Sequence, residues 1–87
     1  MNKNSKQVRL RWACRRGMLE LDLLLLPFFE QQFAGLLKEE QIIFEHLLEC
    51  NDPELLAWLM GHEAPADANL LKMVQKIRSF HTSHASA

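Results

Sequence analysis

Apolar residues along this 87-residue chain recur three and four positions apart, the spacing of one side of a helix rather than the alternation of a strand. Five segments carry the pattern. The first starts at Asn4 or Ser5, either of which can cap it, and runs to about Arg16. Val8 and Trp12 lie on one side of it, and Leu10, Ala13 and Cys14 on another. Gly17 is placed as the left-handed residue that closes this helix. The second segment runs from about Met18 to Phe33, with Leu21, Leu24, Leu25 and Phe28 at helical spacing. Its acids Glu20 and Asp22 sit in the first turn, where they favour the positive end of the helix dipole. Pro27 lacks an N–H and crowds the preceding turn, so it must bend or split this helix. The segment is apolar nearly all round, which predicts the central, most buried element.

A third helix is predicted from Lys38 to Cys50, carried by Ile43, Phe44, Leu47 and Leu48. Asn51-Asp52-Pro53 then reads as a stop followed by a start, with Asp52 as N-cap and Pro53 as the first helical residue. The fourth helix, Pro53 to Met60, is ended by Gly61. A loop over 61–67 leads through Asp67, a capping residue, into a fifth helix from about Ala68 to Phe80 with Leu70, Leu71, Val74 and Ile77. Thr82 to Ala87 read as disordered, and residues 1–4 and 81–87 as flexible ends of one domain spanning 1–87. The expected architecture is an all-α, compact five-helix bundle with a Pro-bent central helix. Leu24, Phe28, Leu47, Leu48, Trp58 and Val74 are its expected core.

Composition agrees. Leu occurs 16 times, whereas Val, Ile and Thr together number six, which favours helices over strands. Gly and Pro also total only six, so a glycine-rich phosphate loop or a turn-dense β fold is poorly supported. The net charge of −1 hides an asymmetry: residues 1–17 hold six basic residues and no acid, and residues 18–87 hold four basic and eleven acidic ones. A basic edge on an acidic body could meet nucleic acid, acidic lipid or an acidic protein surface, or simply solubilise a helix. The two cysteines, Cys14 and Cys50, form no CxxC, and no apolar export signal precedes them. That pattern predicts free, packed thiols in a reducing cytoplasm. The apolar run Leu23–Phe29 is far too short to span a bilayer.

Catalytic chemistry finds little support. The hydroxyl residues Ser5, Ser79, Thr82, Ser83 and Ser86 all lie near the ends, and there is no Tyr. A nucleophile needs a rigid shell and an oriented base. Cys14 or Cys50 with His46 could supply a thiol pair, but a small packed hydrophobe explains each cysteine better. His46 and Cys50, four apart, make half a metal site, but no second pair has ligand spacing in the body, and His81 and His84 fall in the tail. Helices three and four resemble a helix-turn-helix superficially, yet the second of them, PELLAWLM, carries an acid and no base, against entry into a major groove. Trp12 is the one stacking ring on the basic first helix.

The junction of the first two helices is more informative. Arg16-Gly17-x-x-Glu20 resembles the RGxxE signature of the SdhE family, the FAD assembly factors of succinate dehydrogenase. The resemblance continues in order through Pro27-Phe28-Phe29-Glu30, Phe44 to Leu48, Leu48-Glu49-Cys50-Asn51-Asp52-Pro53, Leu56-x-Trp58-Leu59 and Pro65-Ala66-Asp67. It covers about residues 6–78. It implies a compact five-helix bundle, not an enzyme, that binds the flavoprotein subunit of succinate dehydrogenase, and in bacteria the related fumarate reductase subunit. It implies that FAD becomes covalently attached to the partner, with no cofactor held stably by this chain. A cytoplasmic monomer without a specific nucleic-acid partner is expected. The alternative is an antitoxin-type regulatory role, since some bacterial members were named as partners of a small inner-membrane protein.

The partner-binding candidates are Arg16, Gly17 and Glu20, flanked by Arg9, Trp12, Arg15 and Met18. Two readings of them stay open here. Arg16 and Glu20 could form only an exposed i,i+4 pair worth a few tenths of a kcal/mol, with Gly17 only a helix stop. Alternatively, Arg16 anchors the partner by bidentate contacts, and Gly17 lets its backbone approach closely.

Overall fold

Each predicted segment becomes a helix. The structure, a computed structural model, describes residues 5–84. Its helices are α1 (Ser5–Ala13), α2 (Leu19–Gln32), α3 (Lys38–Leu48), α4 (Asp52–Leu59) and α5 (Ala68–His84), with a 3₁₀ turn at Phe33–Gly35. No strand occurs among the described residues. Residues 1–4 and 85–87, expected to be flexible, lie outside them. α2 is central: it packs against α1, α4 and α5, while α5 also covers α3 and α4.

Several boundaries depart from the sequence reading. α1 ends at Ala13, three residues early, so Gly17 stands in the connection to α2 rather than at the helix end. α2 continues unbroken through Pro27, so the proline does not split it. α5 runs past Phe80 to His84. Its extra turn is tied down by His81, whose Nε2 lies 2.6 Å from the Leu24 carbonyl, and by the Thr82 hydroxyl, which donates to Arg78 O at 3.0 Å.

The cap of α4 shifts by one residue. Asn51, not Asp52, is the N-cap, because its Oδ1 accepts the Glu54 N–H at 3.0 Å. That oxygen satisfies one of the four orphan donors of the helix start and leaves the Asp52 side chain free for another partner. Asn51→Ala is expected to lose about 1 kcal/mol of stability, read from the urea midpoint, with an unchanged midpoint refuting the assignment. At the other end, Gly61 takes φ +82°, with Gly61 N–H bonding Trp58 O and His62 N–H bonding Ala57 O. This is a Schellman closure, which needs a left-handed residue. Asp67 caps α5 as expected, its Oδ1 accepting from Asn69 and Leu70 N–H.

Five phenylalanines knit the core. Phe44 lies at the centre, its ring centroid 5.8, 6.1 and 5.7 Å from those of Phe28, Phe29 and Phe33, and Phe80 meets Phe28 edge-on at 5.6 Å. Phe28, Leu47, Leu48 and Val74 are buried as expected. Trp58 and Leu24 are only partly buried and rim this core. Trp58 sits in the last turn of a two-turn helix. Leu24 opens onto the groove it shares with Leu59, Met60 and His81.

Candidate functional site

The connection Cys14–Met18 turns the chain from α1 into α2. α1 closes with a tightened last turn, in which the N–H of Cys14 is shared between Leu10 O and Arg11 O and that of Arg15 bonds Trp12 O at 3.0 Å. Arg16 follows, and its N–H donates to Asp22 Oδ1 at 2.6 Å, so an acid in the first turns of α2 reaches back over the connection. Gly17 then takes φ +81°. A Cβ built there meets nothing within 4 Å. The glycine is thus required by backbone conformation, not by crowding within this chain. Met18, extended at φ −119°, is the N-cap of α2 and packs partly into the core. Glu20 is exposed on the first turn of α2.

Arg16 behaves differently from either reading of the motif. No Arg16–Glu20 pair forms among the described residues. The Arg16 side chain is only 15% exposed. Its Nε donates to Asp52 Oδ1 at 2.9 Å, its Nη1 to Ala13 O at 2.9 Å and Leu48 O at 2.8 Å, and its Nη2 to Cys50 O at 2.8 Å. The guanidinium therefore fills orphan carbonyls after α3 and at the end of α1, and faces the acid that opens α4.

The other predicted site residues lie around this connection. Trp12 is 66% exposed, with the Arg15 guanidinium 5.5 Å from its ring centroid, a cation–π arrangement. Arg9 is exposed one turn before Trp12. Two apolar residues were missed: Leu19 and Leu23, four apart on α2, are 69% and 59% exposed. Leu23 lines a groove with Arg15, Asp22, Leu26, Pro27 and Glu30. The signal was present in the sequence, because a helix apolar on every side has more apolar surface than one core contact can cover.

The basic edge is largely spent inside the molecule. Lys6 pairs with Glu45 at 2.7 Å, Arg11 with Glu30 at 2.7 Å and Arg16 with Asp52 at 2.9 Å. The Arg11–Glu30 pair is solvent-exposed and worth under about 1 kcal/mol, whereas Glu45 is half-buried with its paired oxygen shielded from solvent; both pairs tie α1 to the acidic body. Arg9 and Arg15 remain as exposed cations near the motif, a thin footprint for nucleic acid.

Neither cysteine sits in an activating environment. Burial pushes the Cys14 thiol up to about 12; Arg16 opposes this, and the charges of Glu30 and Asp22 add to it. Burial, with the charges of Glu54 and Glu49, raises Cys50 as well. The thiolate is the reactive form, so the fully buried Cys14 is expected to resist iodoacetamide while the half-buried Cys50 reacts first. Mass spectrometry of quenched time points reads this, and equal rates would mean that the connection opens freely. Because the folded chain holds the Cys14 proton more tightly than the unfolded chain, this contribution to stability is complete below pH 9 and is lost as pH rises toward about 12. No group of three or more metal-ligating side chains occurs among the described residues. No described helix is long and apolar enough to cross a membrane.

Comparison with known proteins places this geometry in context. A family model described as flavinator of succinate dehydrogenase matches residues 8–81. The chain is similar to the FAD assembly factor SdhE of Shewanella oneidensis, 54% identical over 70 residues, covering 80% of this chain and 85% of that protein. It is similar to the FAD assembly factor SdhE of Vibrio vulnificus, 47% identical over 83 residues, covering 95% and 96% of the two chains. The protein of the same name from Yersinia pseudotuberculosis is 49% identical over 73 residues, covering 84% and 83%.

Proposed function

The chain belongs to the family of flavinators of succinate dehydrogenase, and from that premise we propose that it is an FAD assembly factor that binds the flavoprotein subunit of succinate dehydrogenase and promotes covalent attachment of FAD to it. The observation that carries this reading is the match over residues 8–81, which contains the whole Arg16–Glu20 connection. The working surface is the outer side of that connection: Gly17 and Glu20, with Arg9, Trp12, Arg15 and Met18 beside them. Gly17 leaves open space where a partner backbone can approach.

The protein acts by binding and does no chemistry of its own. Flavin attachment needs the partner's reacting side chain held against the flavin, and such proximity contributes up to roughly 7–11 kcal/mol. A factor that binds one arrangement of the partner better than another shifts the partner toward it. The accessible surface of 5730 Å² leaves room for this, since a standard interface takes about 800 Å² per partner. The related flavoprotein of fumarate reductase is a second partner for the same surface, and the site of action is the cytoplasm.

Expression of this chain in cells lacking their own assembly factor tests the reading. The covalently flavinylated fraction of the flavoprotein, read as flavin fluorescence after denaturing electrophoresis, is expected to rise to that of the complete strain. No rise, together with capture of a small inner-membrane protein instead, would favour the antitoxin-type role.

A further inference from the structure

We propose that Arg16 serves the motif as a positioning residue: it is held inside the fold, and it locks Gly17 and Glu20 in their presented geometry instead of gripping the partner. The proposal rests on the reading of this chain as a flavoprotein-binding factor.

A guanidinium has five N–H donors. Four of those of Arg16 are spent on Ala13 O, Leu48 O, Cys50 O and Asp52 Oδ1. A bidentate grip on a partner carboxylate needs two parallel donors, and one remains. Meanwhile the Arg16 backbone N–H is held by Asp22. One residue thereby joins the end of α1, the first turns of α2, the end of α3 and the start of α4. Gly17 is its neighbour in the chain, and Glu20 stands on the turn of α2 that Asp22 anchors. The direction of the connection, and with it the outward placement of Gly17 and Glu20, is set from beneath by α3 and α4. Asp52 is then part of the same device, although it lies outside the motif.

Asp52 provides the test, because the two roles of Arg16 predict opposite effects of removing it. If Arg16 gripped the partner directly, Asp52→Ala would free its Nε and leave binding unchanged or tighter. If Arg16 positions, Asp52→Ala weakens binding as Arg16→Ala does. The affinity of purified protein for the flavoprotein subunit is measured for the parent, both single variants and the double variant, at a temperature where circular dichroism shows each fully folded. Each single variant is expected to bind about tenfold more weakly, the scale of one lost charge-assisted hydrogen bond. The double variant is expected to fall within about threefold of the weaker single, not near the hundredfold loss of independent sites. Arg16→Lys keeps the charge but cannot span these acceptors, and it is expected to match Arg16→Ala, which guards against a failure of the alanine variant to fold. Parent-like affinity in Asp52→Ala or Arg16→Lys overturns the proposal, as does lowered melting in every variant with affinity intact. A parent that does not bind the flavoprotein overturns the functional reading itself, and this proposal with it.

Discussion

Gly17→Arg is expected to give a folded, helical protein that no longer supports flavinylation of its partner. The folding half follows from local geometry. Gly17 sits at φ +81°, where any side chain costs about 1 kcal/mol in backbone strain. Nothing lies within 4 Å of the position a Cβ would take, so no clash is added. A small domain holds about 5–15 kcal/mol of stability. The variant should therefore melt only about 4–8 °C lower. The functional half follows from placement. Gly17 is exposed, as are Trp12 and Arg15 before it and Leu19 and Glu20 after it in the chain, at the surface assigned to the partner. A long cationic side chain there holds two surfaces apart, and loss of a well-packed interface centre costs about 2 kcal/mol or more. Far-ultraviolet circular dichroism and melting read the first half, and the covalently flavinylated fraction in a strain lacking its own factor reads the second. An unfolded variant would make Gly17 a structural turn only. Full flavinylation would move the working surface elsewhere.

Phe44→Ala should produce the largest loss of stability available from one core substitution. The ring is fully buried and meets Phe28, Phe29 and Phe33 at 5.7–6.1 Å between centroids, so its removal opens a cavity where α2, α3 and the 3₁₀ turn converge. Buried Phe→Ala changes cost about 3–5 kcal/mol, a large part of the total. Trp58→Ala serves as the control. Trp58 is the bulkier side chain, but it is only partly buried at the rim, and its loss is expected to be smaller. Urea unfolding of both variants gives the comparison. If Trp58→Ala proved the more damaging, the centre of the core would lie on α4 instead of at Phe44.

Part of the candidate site was legible before any coordinates. The RGxxE spacing and a left-handed glycine at 17 follow from residue type and local pattern, although Gly17 was read as the stop of the first helix and stands instead in the connection after it. What could not be read was the direction of the Arg16 side chain. A sequence shows Arg16 and Glu20 four apart and suggests a pair, but α1 ends at Ala13, so the two are not on one helix. The same local ambiguity moved the cap of α4. Asn51 and Asp52 are both good capping residues; in the fold Asn51 takes the cap, while Asp52 meets Arg16, more than thirty residues earlier in the chain.

The existence and order of the five helices were determined by sequence alone, because helical periodicity and capping residues act within a few residues of one another, whereas the ends of α1 and α5 were not. Phe28, Leu47, Leu48 and Val74 could be assigned to the core on the same grounds. Tertiary structure decided the rest. It made Phe44 the centre and left Trp58 at the rim, since burial depends on how much of a side chain neighbouring helices can cover. It left Leu19 and Leu23 exposed on a helix with more apolar surface than its neighbours could bury. It also turned Arg16 inward, because the carbonyls that needed a donor, Leu48 O and Cys50 O, arrive from another part of the chain and meet it only once α1, α2, α3 and α4 have packed.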